Sequence, residues 1–268
     1  MTEKDVKEDF EALRLLIRKS KESPNHTKVF KETNENVKGI LNQFDIKNKS
    51  VLTVLASGDQ ALNILNRKAS IVELFDINKL TIYYYYIRIW LIKYFDKFYL
   101  DIKLSEILNV VRPENEDEAN ALLFWQMYYK EFGDNLGYFF YKERPPLAGK
   151  IEDLSYLKER LKDSIKFYNI DLGGEINLNK KYDIIYASNV SKWIGRSGIS
   201  NLDIYIDNLS KLLNDNGIVI CSNVTTITNE QSEEVKNMSI SFDYHSLEPT
   251  NDICFFKIPG YYYTKKRI

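Results

Sequence analysis

Residues 51–78, VLTVLASGDQALNILNRKASIVELFDIN, constrain the fold more than any other stretch of the chain. Residues 51–55 form a short apolar run rich in β-branched side chains, which fits a buried strand. Ala56, Ser57, Gly58 and Asp59 break that run with small and polar groups. Ala61, Leu62, Ile64 and Leu65 then recur at helical spacing. A second apolar run, residues 70–75, closes on Asp76, Ile77 and Asn78. Strand, turn, helix, strand is the first half of a parallel βαβ unit, whose ligands bind at the carboxyl ends of the strands. Gly58 allows a sharp turn and close approach of backbone to a ligand. Asp76 follows it by about 20 residues, the spacing at which a carboxylate reaches a ribose diol.

Two cofactor classes use this layout. A dinucleotide site needs G-x-G-x-x-G, so that a pyrophosphate rests on the helix N-terminus. Here the turn reads S-G-D-Q-A-L, with one glycine and with Asp59 where the phosphate would lie. A carboxylate there repels a pyrophosphate and suits a cationic, phosphate-free ligand such as S-adenosylmethionine (SAM). The plain structural alternative is an α/β domain in which Asp59 and Asp76 only cap helices.

The net formal charge is −1, which gives no pull toward nucleic acid or an anionic membrane surface. The two cysteines, Cys221 and Cys254, sit in apolar runs and read as free thiols in a reducing compartment. No Cys/His spacing suggests a metal site. The amphipathic N-terminus is unlike a signal peptide, and the best membrane-span candidate, residues 80–91, is short and carries Arg88. A cytoplasmic protein with no integral membrane segment is expected.

Residues 3–20 read as an amphipathic helix and 34–44 as a second. Residues 33–36, Thr33-Asn34-Glu35-Asn36, either cap that second helix or, lying just upstream of the first strand, reach over the ligand with Thr33 and Asn36 on the substrate side. Residues 80–95 are apolar on nearly every face and predict a helix covered on both sides. Residues 101–163 carry three helical patterns and no good strand. Strands resume at 166–170, followed by Asp171 and Leu172; Asp171 either holds an adenine amino group or makes a turn. Residues 182–187 form a buried strand ending in Ser188, Asn189 and Ser191, where a ligand crevice opens. A helix at 202–213, a turn at 215–217 and a strand at 218–221 follow. Residues 239–245 and 253–258 pair most simply as an antiparallel hairpin, and 261–268 reads as a solvated tail.

With these segments in place, the chain resembles the class I SAM-dependent methyltransferase-fold proteins. More narrowly, it resembles bacterial relatives of the SAM:diacylglycerol 3-amino-3-carboxypropyltransferases. The carrying segments are TNENVKGIL (33–41), KSVLTVLASGDQALNIL (49–65), VELFDIN (72–78) and YDIIYASNVSKWI (182–194). The resemblance implies an α/β, Rossmann-like fold with a mostly parallel seven-stranded sheet, a C-terminal antiparallel hairpin and a helical insertion. The expected division is 1–48, N-terminal helices covering the cofactor site; 49–95 and 166–268, the SAM-binding α/β domain; and 96–165, the insertion. The implied activity is transfer of a methyl or 3-amino-3-carboxypropyl group from SAM to a small-molecule acceptor. Ala56, Ser57, Gly58, Asp59, Asp76, Ile77, Asp171, Leu172 and Asn189 are the expected cofactor contacts, with Asp59 near the ammonium and Asp76 on the ribose. Thr33, Asn36 and Ser191 are the substrate-side candidates, and no general base stands out. A non-catalytic SAM-binding or regulatory protein is the alternative, and an NAD-dependent oxidoreductase fits less well.

Overall fold

A computed structural model of the chain describes residues 1–19, 28–33, 35, 37–42, 44–140, 154–161, 165–188, 190, 194, 199–221, 252–257 and 262–267. The chain divides into two compact units. One contains Met1–Asn34, Leu55–Asp59 and Asn78–Ser164; the other contains Glu35–Val54, Gln60–Ile77 and Ile165–Ile268.

The first unit is helical. Helix α1 (Glu3–Lys19) buries Val6, Phe10 and Leu13, one turn apart along a single stripe. The second unit begins with the short helix α2 (Val37–Leu41), strand β1 (Ser50–Val54), helix α3 (Asp59–Asn66, whose first residue belongs to the first unit) and strand β2 (Ile71–Asp76). Helix α4 (Leu80–Phe95) returns to the first unit and is buried at every position from Leu80 to Ile92. Helices α5 (Leu104–Val110) and α6 (Glu116–Phe132) cover it, and α7 (Leu154–Arg160) follows. Aromatic rings supply much of this core: Tyr83 of α4 stacks on Phe124 of α6 with centroids 3.9 Å apart, and the Trp125 indole N–H donates to the Tyr83 carbonyl at 2.8 Å. Helix α6 starts where the Asn115 side chain accepts from the Glu118 amide, and stops at Gly133, whose φ of 61° lies in the left-handed region that glycine tolerates.

The sheet lies in the second unit. Strands β3 (Phe167–Asn169), β4 (Tyr182–Ser188) and β5 (Leu213–Cys221) join β1 and β2, with helix α8 (Ile199–Leu212) leading into β5. Five strands run parallel in the order β3-β2-β1-β4-β5. Beyond β5, strands β6 (Asp252–Lys257) and β7 (Tyr262–Arg267) continue the ladder antiparallel. The order reverses between β1 and β4, so the topological switch point lies there, at the carboxyl ends of the strands.

Two sequence expectations change, and the strand expected at 239–245 lies outside the described residues. Strand β6 pairs antiparallel with β7, in the segment that reads as a solvated tail. The turn expected at 215–217 falls within β5. Leu213 pairs with Tyr182 and Ile218 with Ile184, so residues 214–217 bulge out of the ladder, helped by a φ of 64° at Asn216. Cys221 and Cys254 are register partners in the β5–β6 pairing.

Sequence pattern also explains a polar knot on the sheet. Glu73 of β2 is buried and accepts from the hydroxyls of Tyr168 and Tyr182 and from the Lys180 ammonium. Burial alone would raise the Glu73 pKa, but these three donors outweigh it and hold the carboxyl below its ordinary value.

Candidate functional site

Two polar centres stand out, one in each unit. The first surrounds the turn after β1. The Gly58 amide bonds the Leu55 carbonyl at 2.6 Å, closing a tight turn with φ of 44° at Ala56 and 86° at Gly58. A β-carbon at Gly58 would lie 3.0 Å from Cδ2 of Tyr85. The Tyr85 hydroxyl is buried with no hydrogen-bond partner among the described residues, and burial pushes its pKa far above the ordinary phenol range. Gly58→Ala combines left-handed strain with crowding against Tyr85, so it should cost about 1–3 kcal/mol. Urea denaturation of the purified variant measures this; an unchanged midpoint would mean that the turn relaxes freely.

Asp59 opens α3, and its carboxylate is fully buried. One oxygen accepts from Ser57 Oγ and from the Thr33 amide, each at 2.7 Å. The other accepts from Arg88 Nη2 at 2.8 Å, an ion pair with both side chains wholly inaccessible. Arg88 Nη1 also donates to the Ser57 carbonyl at 3.1 Å, and the guanidinium lies 4.5 Å from the centroid of the Phe98 ring. Burial works to lower the Arg88 pKa, but Asp59 opposes it and the net shift is upward. The sequence places Asp59 near a cationic ligand. In the structure the carboxylate faces Arg88, because a buried charge on an apolar helix must be neutralised locally.

The second centre is built around Glu35, with 6% of its surface exposed. Its carboxylate accepts from Ser188 Oγ at 2.6 Å, from the Tyr186 hydroxyl at 3.1 Å and from Gln60 Nε2 at 3.3 Å. Tyr186 and Ser188 are two apart on β4, so the strand's period of two puts both on one face. Ser188 closes β4 with a φ of 52°, an uncommon conformation for serine, of the kind that concentrates at functional sites. Glu35 therefore bonds both elements flanking the switch point: the end of β4, and the helix that follows β1.

Asp76 ends β2 with 8% exposure, while the next residue, Ile77, is 68% exposed. Asn169 of β3 donates to the carbonyls of Asp76 and Ile77, both at 2.9 Å, fixing the backbone there. Asp171 is exposed and accepts from the Gly173 amide at 2.8 Å, so the turn reading of this residue has its hydrogen bond. Leu172 is buried, and its carbonyl accepts from Asn208 at 2.9 Å.

Thr33, Ser57, Gly58 and Asp59 thus come together in the first unit, and Asp76, Ile77, Asp171 and Leu172 sit at adjacent strand ends in the second. Ala56 belongs to the first group by its turn. Asn36, Asn189 and Ser191 lie outside the described residues. Sequence reasoning places Glu35 and Ser188 near the ligand without their partnership, and misses Tyr186, Tyr85 and the role of Arg88. Only Arg88 leaves a signal, as the lone charge in the middle of an apolar helix. Among the described residues no group of three or more His, Cys, Asp or Glu side chains is arranged to hold a metal ion. No described helix is long and apolar enough to cross a membrane.

No protein-family model matches the chain, and no curated protein matches it. Among solved structures, it is similar to a ribosomal protein L11 methylase from Lactobacillus delbrueckii subsp. bulgaricus, with TM-score 0.33 and 16% identity over 69% of this chain and 56% of that one. It is also similar to the glycopeptide N-methyltransferase MtfA complexed with SAM, with TM-score 0.37 and 9% identity over 74% of this chain and 57% of that one. A SAM-dependent methyltransferase from Clostridium acetobutylicum gives TM-score 0.35 and 11% identity over 87% of this chain and 73% of that one. The chain therefore spans little more than half the length of the first two. At these values the likenesses carry no function to this chain.

Proposed function

We propose that this chain binds SAM and transfers a methyl or 3-amino-3-carboxypropyl group from it to a small-molecule acceptor. The observation that carries the reading is the occupied N-terminus of α3. A helix N-terminus attracts a pyrophosphate because its amides and dipole are open. Here the helix's own first residue, Asp59, fills that place and is neutralised by the buried Arg88. A phosphate-free nucleoside cofactor fits a turn with one glycine and an aspartate, rather than the glycine-rich turn that a pyrophosphate needs.

The remaining residues fit a nucleoside. Asp76, at the end of β2, would accept from the ribose hydroxyls. Ile77 is apolar and exposed, so it offers a face for the adenine ring. Asp171 and Leu172, at the end of β3, would border the base. Gly58 has no side chain, so its turn presents backbone to a ligand. Ala56 and Ser57 contribute backbone to the same turn, Asn189 is assigned to the cofactor, and Thr33, Asn36 and Ser191 are assigned to the acceptor side.

When bound, SAM supplies an already activated leaving group, the sulfonium. The protein's task is then to bind, to orient and to exclude water, and orientation can supply most of the rate. The carbon that faces the acceptor decides the product. Attack on the methyl leaves S-adenosylhomocysteine; attack on the aminocarboxypropyl chain leaves 5′-methylthioadenosine.

Calorimetric titration with SAM and with NAD tests the reading. Binding of SAM without binding of NAD is the expected result; binding of NAD alone overturns it. Chromatography of the nucleosides released with cell extract as acceptor identifies the transferred group.

A further inference from the structure

Residues 171–174, D-L-G-G, leave the sheet just past the end of β3 and are held from within the second unit. Asn208 of α8 is buried, and its side-chain amide donates to the Leu172 carbonyl at 2.9 Å and to the Gly174 carbonyl at 2.8 Å. An amide NH2 has two donors, so each carbonyl can take one. Gly173, between them, packs against Ile194: a β-carbon there would lie 2.9 Å from its Cγ2. The loop also folds back on its first residue. The Gly173 amide donates to Asp171 Oδ1 at 2.8 Å, and the Gly174 amide to the Asp171 carbonyl at 3.0 Å. We infer that Asn208 is the positioning residue for base specificity, holding the loop so that Asp171 accepts from the adenine amino group. This rests on the SAM reading above and deepens it.

The anchor lies inside and the group that meets the ligand lies outside, since Asp171 is exposed. Asn208 therefore acts through the loop. Its two bonds fix the peptide groups on either side of Gly173, and the Gly173 and Gly174 amides in turn fix Asp171. Removing the amide leaves both carbonyls without this donor. A buried carbonyl without a partner is costly, so the loop would shift toward water and carry Asp171 with it. Hydrogen bonds weaken steeply as their geometry degrades, so the contact to the base should suffer first.

The ribose end has a different anchor. Asn169 closes β3 as the register partner of Asp76, and it donates to the carbonyls of Asp76 and Ile77. Two asparagines thus hold two neighbouring stretches: Asn169 the end of β2, Asn208 the loop after β3. Loosening the second leaves the bonds of the first in place. The two halves of a nucleoside bound here should therefore respond separately to a change at Asn208.

Three nucleosides separate those halves. 5′-Methylthioadenosine carries the amino group and the ribose diol, 5′-methylthioinosine replaces the amino group by a carbonyl, and 2′-deoxy-5′-methylthioadenosine lacks one ribose hydroxyl. Wild type should prefer the first over each of the others by about tenfold or more, because a site that bonds a group rejects the analogue without it. Asn208→Leu, close in volume but without donors, should cut the base preference by about fivefold or more and change the ribose preference by less than about twofold. Calorimetry gives the constants, and a thermal melt checks folding. A merely structural Asn208 would move both preferences together or neither, and either result overturns the inference. A second arm needs no variant. In hydrogen exchange on wild type saturated with each ligand, methylthioadenosine should protect residues 171–174 more than methylthioinosine does; equal protection overturns the inference even if Asn208→Leu does not fold. Should wild type bind neither SAM nor any of the three nucleosides, the SAM reading fails and the inference with it, a result distinct from binding without base preference.

Discussion

Arg88→Met should cost the folded protein about 3–5 kcal/mol, because removing one partner of a buried ion pair strands the other. Asp59 would keep its bonds from Ser57 and Thr33 but lose the guanidinium it is paired with, inside a site with no measurable exposure. Small domains hold about 5–15 kcal/mol in total, so the single variant should lie near the edge of folding. Adding Asp59→Asn removes the stranded charge and should recover a large part of the loss. Urea denaturation of wild type, both single variants and the double variant measures the coupling directly. If Arg88→Met shifts stability by less than about 1 kcal/mol, the pair contributes no more than an exposed one, and the account of the α3 N-terminus given above is wrong.

That pair also shows where sequence reading stops. Residues 51–78 fix the βαβ start because hydrophobic period, glycine and acidic punctuation all act locally. The β1 and β2 strands, α3 and the fully covered α4 follow from them directly. Helices α5 and α6 are equally legible, since Asn115 and Gly133 mark the ends of α6 by capping chemistry. Partner choice is not local. Asp59 is 29 residues from Arg88, and Glu35 is 153 from Ser188. No periodicity records which buried carboxylate meets which donor, so both Asp59 and the 33–36 segment that holds Glu35 stay open between ligand contact and helix cap. The same limit explains the C-terminal pairing. Residues 262–267 lack a strong apolar alternation, and their pairing with β6 depends on an edge that only the assembled sheet provides.

Asp76→Asn should weaken SAM and methylthioadenosine alike, each by tenfold or more. The contact proposed for Asp76 is with the ribose, which both ligands carry, and a charge-assisted hydrogen bond is worth about 1.5–3 kcal/mol. Asparagine keeps the volume and one carbonyl oxygen but loses the charge, and it turns a donor toward hydroxyls that needed an acceptor. The backbone should stay in place, since Asn169 holds the Asp76 carbonyl and not its side chain. Calorimetry with both ligands measures the change. Equal loss of both ligands with Asp76→Asn puts the shared ribose at the end of β2. Selective loss of SAM would put the aminocarboxypropyl end there instead. Unchanged affinity for both ligands would return Asp76 to a structural role at the end of its strand.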